Sequence, residues 1–302
     1  MIKIGENIHI ISKTVREALE EKDENFVKNL IKIQQNLDAV DLNVGPAKGK
    51  LDKIFDWLVP LAGNQNISFD STNIQAISDG IKLVNNPSGC FINSTTNDSE
   101  PLSKLGELAL ANDCNLVALA MSKADGISHT ADGRFETVYE MYEKLSEMGI
   151  KENKIFFDPL VLPVKADQGQ ALETLNIIRM IKESFEDVNI IIGLSNISNG
   201  MPKEIRPLVN RVFGCLAYGS GLNSFILDAR DVELQNILSV VENNNPQSET
   251  EQVYLDIVSM MKTFGEIEDI QFDKSNTEVQ NIIKTARVLL NKSIYTDSFT
   301  QI

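Results

Sequence analysis

The stretch NIIIGLSN (189–196) begins as a run of apolar residues, Ile190, Ile191 and Ile192, and ends on Ser195 and Asn196. A short apolar run bounded by glycine reads as a buried β-strand. Its polar end is the informative part. Asparagine does not titrate near neutral pH, whereas enzymes usually place Glu, His or Cys where protons move. A helix-like segment, PLVNRVFGCLAYG (207–219), follows.

The same alternation runs through the chain. Strand candidates are KIGENI (3–8), AVDLNV (39–44), ISFDST (67–72), CFINST (90–95), NLVALAMS (115–122), KIFFDPLVL (154–162), NIIIGLSN (189–196) and NSFILDA (223–229). Between them, residues 14–37 carry Val15, Leu19, Phe26, Leu30, Ile33 and Leu37 at helical spacing. Segments 50–62, 74–84, 103–111, 135–145 and 169–181 repeat the theme. Eight strands, each followed by a helix, predict an α/β fold, the (β/α)8 TIM barrel. A doubly wound open sheet would need a glycine fingerprint at a switch point, and no G-x-G-x-x-G follows any of these strands. GPAKGK (45–50) is too short for a phosphate loop, and GLSNI (193–197) lacks the second glycine of a nucleophile elbow.

The 302 residues are read as one barrel domain, 1–302, with an insertion at about 244–275 that includes an amphipathic helix at 250–264. That helical segment is extra to a minimal barrel, as a peripheral decoration or a docking surface. No apolar run approaches the roughly 20 residues of a membrane span. The start, MIKIGENIHI, carries Lys3 and Glu6 and is expected to be a first strand rather than a signal peptide. Cys90, Cys114 and Cys215 are far apart, as are His9 and His129. Disulfides and a protein-held metal are therefore not expected, and a reducing cytoplasm is. The net charge of −15 argues against nucleic acid as a partner.

In a barrel, functional residues sit at the C-terminal strand ends. Here these carry Glu6, Asn7, Asn43, Asp70, Asn93, Ser122, Asp158, Asn196 and Asp228. Any one of them could cap the next helix, but together they describe one polar mouth of carboxylates and amides. Carboxylates accept N–H bonds, and amides both donate and accept. Such a set suits a flat heterocycle with donors and acceptors on one edge. A pterin has that edge; a purine-like or sugar ligand also fits.

The ordered motifs IGENI, DLNVGP, FDSTN, FINST, FDPLVLP, IGLSN, RPLVNR and YTDSF resemble the pterin-binding methyltransferases. Among these it resembles the methyltetrahydrofolate:corrinoid protein methyltransferases of acetogenic, anaerobic bacteria. Dihydropteroate synthase is a more distant relative. The resemblance implies a barrel, usually a homodimer. It implies tetrahydrofolate or methyltetrahydrofolate as substrate, and methyl transfer to or from a cobalamin carried by a separate corrinoid protein. By the same motifs, Asp70, Asn93 and Asp158 hold the pterin edge and Asn196 reaches toward N5 as the catalytic residue. Gly193, Ser195, Asn199 and Arg206 line the pocket. The chain departs from the family at Asn7, where the usual motif is GER, and in a slightly longer loop between GLSN and RPL.

Two alternatives accompany this reading. A non-catalytic barrel subunit of a corrinoid iron–sulfur protein would lack the pterin-holding residues. Dihydropteroate synthase would need a basic set at the mouth, for which Lys123, Lys165, Arg206 and Arg211 are the few candidates and no Ser-x-Arg motif follows.

Overall fold

The computed structural model describes residues 1–301. Eight parallel strands close into a barrel in sequence order. They are β1 Ile2–His9, β2 Ala39–Gly45, β3 Ile67–Ser71, β4 Phe91–Thr95, β5 Asn115–Leu119, β6 Ile155–Asp158, β7 Asn189–Gly193 and β8 Ser224–Leu227. The ring shuts where Ile2–Gly5 of β1 pair with Ser224–Leu227 of β8. Helices α1 Lys13–Glu21 and α2 Glu24–Ile33 follow β1. Single helices follow the other strands: α3 Ile54–Ala62, α4 Ile74–Ile81, α5 Ser99–Asn112, α6 Ala131–Glu147, α7 Gly169–Ser184, α8 Arg206–Gly219 and α9 Val232–Asn243. Two more, α10 Glu249–Thr263 and α11 Thr277–Leu289, follow.

Alternation along the strands divides the apolar residues into two cores. The larger lies between barrel and helices. The smaller fills the barrel itself, with Ile4, Ala39, Phe91, Val117, Phe156 and Ile191. Phe91 meets Phe156 edge-on at 5.0 Å between ring centroids. Two residues further along each strand, the same inward parity delivers Glu6, Asp41, Asn93, Leu119, Asp158 and Gly193 to the mouth. The interior is thus a packed plug with a polar layer on top.

Several boundaries differ from the sequence reading, each for a local reason. The continuous helix expected over 14–37 is two helices. Lys22 adopts a left-handed conformation (φ 55°), and the Asp23 side chain caps the Phe26 amide at 3.0 Å. The sixth strand stops at Asp158 rather than Leu162, because Leu160 turns at φ 67° and donates its amide to Asp158 at 2.8 Å. The seventh stops at Gly193, so Asn196 sits not at a strand end but in the 3-10 turn Leu194–Ser198.

Within 244–275, α10 buries Val253, Tyr254, Ile257, Val258, Met260 and Met261. It packs on α8 so closely that a Cβ on Gly219 would stand 2.6 Å from Met261 Cβ and 2.8 Å from the Val258 carbonyl oxygen. In the acidic stretch after α10, Ile267 is buried, while Glu268 pairs with Arg287 at 2.8 Å. No helix among the described residues is long and apolar enough to cross a membrane.

Candidate active site

The side-chain caps of the helices come from other residues. Helix α4 is capped by the Asn73 side chain, α6 by Thr130, and α9 by Asp231. Helix α8 has no side-chain cap. Asp70, Asn93, Asp158 and Asn196 cap none of these helices, nor α5 or α7, which have no side-chain cap; Asp158 instead accepts the Leu160 amide in its own turn.

On one side of the mouth, Asp70, Asn93 and Asp41 form a cluster. The Ser68 hydroxyl donates to Asp41 at 2.5 Å, and the Asn93 amide donates to the same carboxyl at 3.3 Å. Asn43 donates to Asp70. The two carboxyls interact directly. Burial, then the charge of Asp70, drive Asp41 well above the usual carboxylate range. Burial lifts Asp70 to about 6 against the hydrogen bonds from Asn43 and Asp41. The pair therefore keeps a proton near neutral pH. The Asn93–Ser94 peptide bond is cis.

Across the mouth, burial raises Asp158 to about 7, opposed by the Leu160 amide and the charge of Arg134. Arg134 is fully buried behind it. Its guanidinium donates to the carbonyls of Ser128 (2.8 Å), Pro159 (3.2 Å) and Leu160 (3.0 Å), and to Gln170 and Thr174. This buried cation shapes the β6–α7 loop and so aims Asp158.

Between these walls, Glu6 on β1 accepts a 2.5 Å hydrogen bond from Ser195. Burial raises Glu6 to about 7 against that bond, with Asp228 adding to the rise. Asp228 itself is held below the usual range. Burial acts against this, but the bonds from Arg230 and Asn7 outweigh it. Asn7 faces away from the mouth and ties β1 to β8, donating to Asp228 at 2.5 Å and accepting the Ala229 amide at 2.9 Å.

Asn196 is exposed, with its Nδ2 over Gly193, where an added Cβ would stand 3.1 Å away. Asn199 and Arg206 lie beyond it and bond to each other at 3.2 Å. The closing YTDSF motif bears on the same region. Asp297 pairs with Lys165 at 2.8 Å, and the Tyr295 amide donates to Gln168 at 2.7 Å. In that loop the Val164 amide donates to the Ile197 carbonyl at 3.1 Å, beside Asn196. That backbone bond couples the β6–α7 loop to the turn that carries Asn196. Ser122 stays outside the site, its hydroxyl bonded to Asp125 within its own loop at 2.8 Å. No group of three or more His, Cys, Asp or Glu side chains able to hold a metal ion occurs among the described residues.

A sequence profile of the pterin binding enzymes matches residues 42–228, the span from β2 to the end of β8. The chain belongs to the pterin binding enzyme family. Among relatives, it is 28% identical over 237 residues to a methylcorrinoid:tetrahydrofolate methyltransferase of Eubacterium limosum, covering 76% of this chain and 85% of that one. It is 26% identical over 188 residues to the methionine synthase of Mycobacterium tuberculosis, covering 59% of this chain but 16% of that longer protein. Among solved structures, a dihydropteroate synthase of Yersinia pestis with a pterine-sulfa conjugate superposes with a TM-score of 0.55 at 13% identity, covering 81% of this chain and 94% of that one. At that identity the likeness speaks for the barrel fold alone.

Two participants in this site are absent from the strand-end reading. Asp41 lies mid-strand in AVDLNV, and a charge at an inward position of an otherwise apolar strand was the available signal. Arg134 lies in a helix and looks like any surface arginine until the fold buries it.

Proposed function

We propose that this pterin binding enzyme transfers a methyl group between N5 of tetrahydrofolate and the cobalt of a cobalamin carried by a separate corrinoid protein. The observation that carries the reading is the mouth itself: acceptors and an amide at Asp70, Asn93 and Asp158 on the walls, with the Asn196 amide over Gly193. The likeness to the methylcorrinoid:tetrahydrofolate methyltransferase supports the same substrate pair.

In this reading the carboxylates accept the N–H groups of the pterin edge, and the Asn93 amide completes the pattern. The partner's cobalt supplies the methyl acceptor or donor. In the demethylation direction the methyl carbon bonds to the electron pair of the partner's reduced cobalt as the C–N bond breaks, and the pair left on N5 takes up a proton from water. Asn196 donates a hydrogen bond that strengthens as that charge develops, which favours the transition state over the ground state. A strong acid would instead leave its conjugate base facing the product. The barrel supplies orientation and electrostatics.

Dihydropteroate synthase chemistry suits this mouth less well, because two of the four candidate cations for a diphosphate group are engaged elsewhere. Arg211 pairs with Asp231 at 2.8 Å and with Glu233 at 2.5 Å, and Lys165 pairs with Asp297. A scaffold role without catalysis leaves the pterin-holding set without a purpose.

The test is calorimetric titration with methyltetrahydrofolate, followed by methyl transfer to free cob(I)alamin. Wild type binds, and Asp158→Ala does not. Asn196→Ala binds with little change but transfers roughly 10²–10³ more slowly, as expected for one preorganised donor. Equal losses of binding and rate in Asn196→Ala remove its assigned role, and no binding by wild type removes the function.

A further inference from the structure

We propose that Arg206 and Asn199 are positioning residues that fix which end of the Asn196 amide faces the pocket. The inference rests on the methyl-transfer reading of Asn196 and assigns these two residues a role other than holding pterin.

An asparagine amide has a donor end and an acceptor end of nearly equal shape. Only the donor end can serve a developing charge on N5; the other end would present an oxygen to a nitrogen lone pair. Something must choose between the two. Arginine can choose, because a guanidinium donates and never accepts. The Arg206 guanidinium lies 3.2 Å from Asn199 Oδ1. Asn199 must therefore show its oxygen to Arg206 and its Nδ2 elsewhere. That Nδ2 lies 3.3 Å from Asn196 Oδ1. The oxygen of Asn196 is thereby engaged, and its Nδ2 is left as the end turned toward Gly193, the inward-facing last residue of β7.

Two further observations support the relay. The same guanidinium donates through Nε to Ser198 at 3.3 Å, and the Ser198 hydroxyl donates to the Ser195 carbonyl at 3.3 Å, so Arg206 holds the turn as well as the amide. Arg206 is also the first residue of α8, where the helix dipole disfavours a cation. It has no carboxylate partner within ion-pair distance among the described residues to offset that placement. Helix stability therefore does not account for an arginine here; its bonds to Ser198 and Asn199, and its charge near Glu6, do.

The test uses Asn199→Asp, which keeps the shape of the side chain and its bond to Arg206 but removes the donor to Asn196. Methyl transfer should fall about 100-fold, to the level of Asn196→Ala. KM for methyltetrahydrofolate should stay within about threefold. The double variant Asn196→Ala/Asn199→Asp should be no slower than Asn196→Ala alone. Arg206→Met should lose rate in the same way, and Arg206→Lys, also a pure donor, should recover most of it. Unchanged turnover in Asn199→Asp, a matching loss of folate binding, or additive losses in the double variant overturns the relay. A second readout needs no activity. In ligand-free protein labelled with 15N-asparagine, the Asn199 side-chain protons should exchange slowly in wild type and quickly in Arg206→Met. Equal exchange in both refutes the relay. If Asn196→Ala transfers methyl groups at the wild-type rate, the methyl-transfer role of Asn196 fails, and the exchange measurement still decides the relay.

Discussion

Replacing Asp158 by asparagine should stabilise the ligand-free protein at alkaline pH while abolishing its ligand binding. Burial lifts Asp158 from an ordinary 3.8 to about 7. The folded protein therefore keeps this proton over a range in which the unfolded chain has released it. Below about pH 4 the group is protonated in both states and costs nothing. Between about 4 and 7 the folded state binds more protons than the unfolded state, so stability falls as pH rises, and above about 7 the loss is complete. At 1.36 kcal/mol for each tenfold change in proton affinity, the upper bound is about 4 kcal/mol. Solvent reaches the mouth and screens the charge, so about 2 kcal/mol is the working figure. The substitution needs no new contact, since an amide oxygen in place of the carboxyl oxygen can still accept the Leu160 amide.

The gain should thus be small at pH 5 and about 2 kcal/mol at pH 8, or about 3–6 °C in melting temperature. Urea unfolding of both proteins at the two pH values measures it. Methyltetrahydrofolate titration of wild type should show affinity rising about tenfold from pH 6 to pH 8, as the ionised fraction of Asp158 grows, and no binding in the variant. If Asp158→Asn is no more stable than wild type at pH 8, the carboxyl is not held at a cost and the reasoning fails.

Two other substitutions probe the framework of the site. Arg134→Met leaves the Pro159 and Leu160 carbonyls without their buried donor, and should cost about 3–5 kcal/mol in urea unfolding; a loss under about 1 kcal/mol contradicts its place as the anchor of that loop. Gly219→Ala places a methyl group 2.8 Å from the backbone carbonyl of Val258, which cannot swing aside like a side chain. It should cost about 1–3 kcal/mol, and unchanged unfolding shows that α10 is not packed on α8 this closely.

The barrel was legible in the chain because its signals are local. Apolar runs such as Ile190–Ile192 and the helical spacing of residues 169–181 each read from a few neighbours. Asp70, Asn93 and Asp158 were singled out the same way, each being a polar residue that follows an apolar run within its strand. The break at Asp23 also had a local signal, an acidic cap, that helical periodicity overrode.

What the tertiary structure decided is partnership. Ser195 meets Glu6 across 189 residues of chain, and Asn7 meets Asp228 across 221. Arg134 becomes a buried cation only because the carbonyls of the β6–α7 loop gather around it. Asp41 is driven well above the usual carboxylate range partly by the charge of Asp70, which the pairing of β2 with β3 sets beside it. Which end of the Asn196 amide faces the pocket depends on Asn199 and Arg206 beyond it. Periodicity is a property of neighbours along the chain, so sequence determined the elements and their polar ends. Protonation, burial and amide direction depend on groups brought together from distant strands, so only the closed barrel could decide them.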